Sequence, residues 1–265
     1  MYTPFQLGLR YIHYWIKSSN SKGHGVHSPF VFELIDKVLT DDRNFYVFPL
    51  IEAAREEYLF DNTPISVIDF GPESRLNSNH SKTVASIAKY ALKLKKIDQL
   101  LFRLVNYFGP TTILELGTSL GITTSYLAAA NQNSLVITME GSPEIAKQAE
   151  RHFQHIGLNN IEQVVGNFDS TLSNVLQKNK SLDFVFIEKA HQFDSTLKYF
   201  NLIKDNLKDQ SVVVFGDIHQ SKEMEQVWGA VKNDEAVKLT VDLFHIGLVF
   251  FRKEQKKMQH FIVQF

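Results

Sequence analysis

Two carboxylates, Glu115 and Glu140, each close a short apolar run: Ile113–Leu116 around the first, Leu135–Met139 before the second. An acid at the end of a buried strand offers paired acceptor oxygens, the chemistry that grips the two hydroxyls of a ribose rather than the chemistry of proton transfer. Gly117 and Gly121 follow the first acid, and Ile122–Ala130 then has the composition of a helix. Gly117 permits a tight turn, and Gly121 lets a ligand or the sheet approach the helix start. Strand, glycine turn and helix make the first unit of a nucleotide-binding α/β sheet. Glu140 could instead serve the next helix dipole. However, Ser142 as cap, Pro143 in the first turn and Glu144 already supply that helix, so Glu140 is expected to be spare for a ligand.

These residues need a sheet to position them. Strands are expected at Thr112–Leu116, Leu135–Glu140, Ile161–Val165, Phe184–Ile187 and Ser211–Phe215, alternating with helices, which implies parallel βαβ units. Leu239–Arg252 and His260–Phe265 lie too close in sequence for a crossover helix. They are expected to pair as an antiparallel hairpin joined through Lys253–Met258. Residues 1–95 read as mainly helical, with helices around Phe5–Lys17, Ser28–Leu39, Pro49–Phe60 and Ser81–Lys96 and a short strand and turn over Pro64–Gly71. The expected division is a helical N-terminal extension, 1–95, and a nucleotide-binding domain, 96–265.

ELGTSLGITTSYLA followed by VITMEGSPEIAKQAERHF resembles the opening of class I S-adenosylmethionine-dependent methyltransferases. The form E-x-G-T-x-x-G is similar to the O-methyltransferase branch that includes the catechol and caffeoyl-CoA enzymes. The resemblance runs from about Leu100 to Phe265. It implies a Rossmann-like, mostly parallel sheet ending in an antiparallel hairpin. It also implies that Glu115, Gly117, Thr118 and Gly121 wrap the methionine portion of S-adenosylmethionine, that Glu140 holds its ribose, and that Asn167 and Phe168 meet its adenine.

The same resemblance places the acceptor at Glu188-Lys-Ala-His191 and Gly216-Asp-Ile-His219, after the fourth and fifth parallel strands. Metal-dependent relatives hold a divalent cation with oxygen ligands from these loops. Here Glu188 stands where Asp is usual, and Gly216 and Gln220 replace an acid and a Trp. Mg²⁺ tolerates little change in ligand reach, so no metal is expected. A general base for a hydroxyl acceptor would add roughly 10²–10⁴-fold. His191 is the first candidate and His219 the second, because histidine accepts protons near neutral pH.

Lys22-Gly-His-Gly-Val-His-Ser-Pro-Phe30 is unusual, yet Ser28-Pro29 reads as a helix cap and first turn, and no third metal ligand accompanies the two histidines. Tyr2, Phe5, Tyr11, Tyr14 and Trp15 read as a packing face, against the body or a second copy in a homodimer. Net charge of −1 offers no field for nucleic acid or an acidic membrane, and the lysine clusters at 93–96 and 253–257 carry no interleaved aromatics. The absence of cysteine removes disulfides and thiolate chemistry. No apolar run reaches the roughly 18 residues of a membrane span, and no secretory leader is recognisable at the N-terminus. A cytoplasmic location is expected.

The expected activity is methyl transfer from S-adenosylmethionine to an oxygen of a small molecule without metal. A non-catalytic S-adenosylmethionine-binding protein would show the same cofactor half with altered acceptor loops. A nicotinamide-dependent oxidoreductase shares the second-strand acid but would not need the C-terminal hairpin.

Overall fold

Most apolar runs of five or six residues become strands buried on both faces, as parallel strands covered by helices require. The computed structural model describes residues 1–19, 26–68, 79–188, 193–254 and 257–265. They fall into two packed units, Arg43–Asn179 and the combination of Met1–Asp42 with Lys180–Phe265.

In the unit Arg43–Asn179, the strands β3 (Thr112–Leu116), β4 (Leu135–Glu140) and β5 (Ile161–Val165) lie side by side and parallel. Glu115 is in register with Thr138, and Glu140 with Val165. The connecting helices are α6 (Ile122–Ala130) and α7 (Pro143–His155), with α8 (Phe168–Lys178) after β5. Helix α5 (Lys95–Phe108) enters β3 with Ile97, Leu100, Leu101, Leu104 and Val105 buried, a helical three-and-four spacing, and stops at Gly109 in the left-handed conformation. Helices α3 (Val47–Phe60) and α4 (Val84–Ala91) close the core: Phe48, Ile51, Val84 and Ile87 share one apolar cluster with Phe102, Ile122 and Tyr126.

The single helix expected over Ser81–Lys96 is three elements. β2 (Asn79–Thr83) pairs antiparallel with β1 (Pro64–Ile68), α4 follows, and α5 begins at Lys95. Thr83 stops the strand and starts the helix, its hydroxyl accepting the Ser86 N–H at 3.1 Å. Asn-His-Ser-Lys-Thr has no apolar alternation, so its edge-strand pairing left no sequence signal.

The other unit holds α1 (Pro4–Lys17), α2 (Pro29–Leu34, continued by a π turn at Ile35–Leu39), β6 (Leu182–Ile187), α9 (Phe193–Lys204), β7 (Leu207–Gly216), α10 (Lys222–Lys232), β8 (Leu239–Asp242), β9 (Ile246–Phe250) and β10 (Gln259–Ile262). Its strands run in the order β10-β8-β9-β7-β6. β6 and β7 are parallel, while β9 is antiparallel to both β7 and β8. The antiparallel hairpin is present but lies earlier than expected. It joins β8 to β9 through Leu243–His245, and β10 then returns parallel to β8. Phe244 breaks the long apolar run with a φ of 65°, and its N–H is held by Asp242 at 2.9 Å. A Cβ at Gly247 would lie 2.6 Å from the Trp228 ring, so glycine in β9 is what seats that indole.

Packing therefore divides the N-terminal helices between the units, α1 and α2 in one and α3 and α4 in the other. Ser28 caps α2 as expected, accepting from Val31 with Pro29 next in line. His24 and the start of its segment lie outside the described residues. Among the described residues, no helix is long and apolar enough to cross a membrane.

Candidate functional site

The carboxyl ends of β3, β4 and β5 gather the residues expected to hold a nucleoside. Glu115 is fully buried, and its Oε2 accepts from Thr124 on α6 at 2.5 Å and from Thr138 on β4 at 2.6 Å. Thr138 has one proton to give, so Thr118, 2.6 Å away, donates to Thr138 in turn. Glu115 thus ties the glycine turn to the helix after it and the strand beside it. Thr124 and Thr138, which carry no motif of their own in the sequence, complete this hydroxyl chain.

The turn has a fixed shape. Gly117 takes a φ of 109°, Ser119 of 50° and Gly121 of 81°. The N–H groups of Gly117 and Thr118 both point at the Met139 carbonyl, at 3.0 Å. A Cβ on Gly121 would fall 2.6 Å from the Phe153 ring of α7. The sequence suggests approach of a ligand or the sheet as the reason for a glycine there; the structure displays a different one, close packing of the helix start against Phe153 and Ala149 of α7. Ser119 is the notable non-glycine residue, held in a sparsely populated conformation.

Glu140 is what holds Ser119. One carboxylate oxygen accepts the Ser119 N–H at 2.9 Å and the other accepts the Ser142 N–H at 2.9 Å. Burial raises the Glu140 pKa, opposed by the N–H groups of Ser142, Ser119 and Gly141. The expectation that Ser142 relieves Glu140 of helix duty is corrected here. The Ser142 hydroxyl makes no cap; it faces β1, accepting from Ile68 N–H at 3.3 Å, and Glu140 takes the Ser142 N–H itself. The Glu140 carbonyl accepts from Gly166, which brings the loop after β5 to the same place. Next to it, Asn167 caps α8 by accepting the Asp169 N–H at 2.8 Å, and Phe168 is half-buried.

A carboxylate has about four acceptor sites; the Ser119 and Ser142 N–H groups use one on each Glu140 oxygen, and the Gly141 N–H also faces it. Capacity remains for a further hydroxyl donor. The fit to a ribose therefore rests on a half-buried carboxylate fixed from two sides at the end of a strand.

The acceptor candidates belong to the other unit. Glu188 is half-buried directly after β6, and His191 lies outside the described residues. After β7, Asp217 takes a φ of 54°, its N–H reaching the His245 carbonyl at 2.7 Å. His219 is engaged on both sides. Nε2 lies 2.8 Å from Asp242 and Nδ1 3.3 Å from Glu225, and its ring stacks on Phe244 at 5.3 Å between centroids. Burial lowers the His219 pKa, but the hydrogen bonds and charges of Asp242 and Glu225 prevail and raise it. Two carboxylates around one imidazole hold a cation in place, with neither ring nitrogen left to take a substrate proton.

The network extends further. Asp242 Oδ2 also accepts the Trp228 indole N–H at 3.2 Å, and Glu225 accepts the Tyr2 hydroxyl at 2.7 Å and Arg10 Nε at 3.0 Å. Neither the His219 partners Asp242 and Glu225 nor the outer residues Arg10 and Tyr2 stood out in the sequence as members of this network, because they are spread over β8, α10, α1 and the segment before α1. Among the described residues, no group of three or more His, Asp or Glu side chains is arranged to hold a metal ion.

Comparison with known proteins fits this geometry. The model of a family described as a methyltransferase domain matches residues 114–218, from β3 through the end of β7. A Podospora anserina methyltransferase with S-adenosylhomocysteine bound superposes with a TM-score of 0.59 at 12% identity, covering 86% of this chain and 100% of its own. An O-methyltransferase of Streptomyces achromogenes involved in tomaymycin synthesis, in complex with S-adenosylmethionine, gives 0.56 at 16% identity, covering 79% and 91%. A Bacillus cereus O-methyltransferase in complex with S-adenosylhomocysteine gives 0.53 at 18% identity, covering 83% and 97%. At such identities the likeness speaks for the fold. No curated protein matches the chain.

Proposed function

We propose that this chain, which carries a methyltransferase domain of the class I α/β fold, transfers a methyl group from S-adenosylmethionine to an oxygen of a small molecule, in the cytoplasm and without a metal. The observation that supports this most directly is Glu140, half-buried at the end of β4 and locked to Ser119 of the glycine turn. S-adenosylmethionine supplies the methyl group already activated on a sulfonium.

The residues of the chain then have separate tasks. Glu140 accepts a ribose hydroxyl, Asn167 and Phe168 flank the adenine, and Gly117 and Thr118 present backbone to the methionine portion. Glu115 acts one step behind, keeping Thr124 and Thr138 in place around the turn. Holding an acceptor oxygen in line with the methyl group can supply roughly 7–11 kcal/mol of the barrier. His191 removes the acceptor's proton, with Glu188 orienting it or the acceptor. His219 belongs to the carboxylate network instead.

A second reading, a non-catalytic S-adenosylmethionine-binding protein, is favoured by one observation: the histidine that the structure describes after β7 is consumed by Asp242 and Glu225. Turnover separates the two. Methyl transfer from labelled S-adenosylmethionine to a panel of phenols and other hydroxyl compounds should fall about 10²–10⁴-fold in His191→Asn, the contribution of a general base, with cofactor affinity unchanged. Cofactor binding without transfer to any acceptor would establish the second reading.

A further inference from the structure

The aromatic face expected at the N-terminus divides in two. Tyr2, Tyr11 and Tyr14 turn inward, to the Glu225 carboxylate, the Phe244 ring and the Val263 carbonyl respectively. The opposite side of α1 is apolar and open. Phe5, Leu9, Ile12 and Ile16 recur at spacings of four, three and four and are 75%, 53%, 56% and 76% exposed, with Trp15 at 49% and Met1 at 83% beside them. Gly8 lies within this face, with nothing within 4 Å of the position its Cβ would take. The helix start is fixed within the chain by a Thr3–Gln6 capping box and Pro4 in its first turn.

We infer that this face of α1 is the contact by which two copies of the chain associate, an inference independent of the activity assigned above. Three observations select a second copy as the occupant. At roughly 200 Å² for a fully exposed side chain of this size, these exposures leave on the order of 800 Å² of apolar surface, what each partner contributes to a standard interface. The four-three-four stripe is the seam that one helix offers to another, and Gly8 lets the backbones approach. The stripe also carries no charge, so it can face its own copy across a twofold axis without setting like charges against each other. A lipid surface fits less well. Of the two strong cations on α1, Arg10 is already held by Glu225, leaving Lys17 where an interfacial helix would carry several.

Sedimentation velocity of the full chain across micromolar concentrations tests this. The wild type should sediment at twice the chain mass. Ile12→Glu combined with Ile16→Glu should raise the dimer dissociation constant by roughly 100-fold or more, as loss of central apolar anchors does, with an unchanged circular-dichroism spectrum. Should that pair unfold the chain, Leu9→Lys is to be judged by the same readout. Tyr90→Glu, at an equally exposed aromatic on α4, should leave the dimer intact. A wild type that is monomeric throughout, face variants that stay dimeric, a dimer lost equally in Tyr90→Glu, or a monomer that pellets with phosphatidylglycerol vesicles would each overturn the inference.

Discussion

The loops after β3, β4 and β5 and the loop after β7 stand at equivalent ends of their strands and carry similar polar residues, yet use them differently. In the first group, carboxylates hold uncharged donors: Glu140 takes the N–H groups of Ser119 and Ser142, and Glu115 takes the hydroxyls of Thr124 and Thr138. In the second, charged side chains hold each other: Asp242 and Glu225 bracket His219, with Trp228, Tyr2 and Arg10 as outer partners. On the proposed function the first arrangement serves a ligand, while the second ties charged groups to one another. An acid near a strand end is informative only once its partners are known.

The largest effect that would sharpen this contrast is on stability. Asp242→Ala leaves a buried imidazole with one carboxylate and the Trp228 N–H without its acceptor. It should cost about 3–5 kcal/mol, as breaking a buried ion pair does, in urea unfolding, while S-adenosylhomocysteine affinity stays at the wild-type value. An equal loss in affinity would mean that the network after β7 also serves the cofactor.

Two histidines carry the comparison into pH. His152 on α7 is buried, chiefly desolvated and also repelled by His155, and its pKa is pulled down to about 4 from 6.5. A depressed basic group favours the native state above 6.5, and that contribution is lost as pH falls toward 4, up to about 3 kcal/mol. His219 has the opposite sign: its stabilisation is complete below 6.5 and fades as pH rises through its raised value. His152→Phe should therefore flatten the acid limb of stability against pH, and His219→Gln the alkaline limb. The same limb moving in both variants would contradict the assignment.

β3, β4 and β6 were legible because burial on both faces writes them as nearly continuous apolar runs ended by glycine or acid, whereas β5, half-exposed with Glu162 and Gln163 inside it, was placed by its spacing after α7. Glu115, Gly117, Gly121 and Glu140 stood out for that reason. β2 was invisible because an edge strand of polar residues has no period to read. The break between β8 and β9 was hidden because Phe244, an apolar residue in a left-handed conformation, looks like more strand. The role of His219 was also out of reach, since its partners come from α10 and β8 and meet only through the fold. Ser142 misled because its type suits a cap, whereas its hydroxyl reaches β1.

The central claim is that Glu140 is a nucleoside-binding acid held ready by the glycine turn. Calorimetric titration of S-adenosylhomocysteine into the wild type and Glu140→Ala tests it most directly. A hydroxyl bond to a charged acceptor is worth about 1.5–3 kcal/mol, so the variant should bind roughly 10- to 100-fold weaker. Wild-type affinity should also decline as pH drops through the raised Glu140 pKa, because the protonated acid offers fewer acceptor sites. Equal affinity in the two proteins, or no binding by the wild type, would contradict the account.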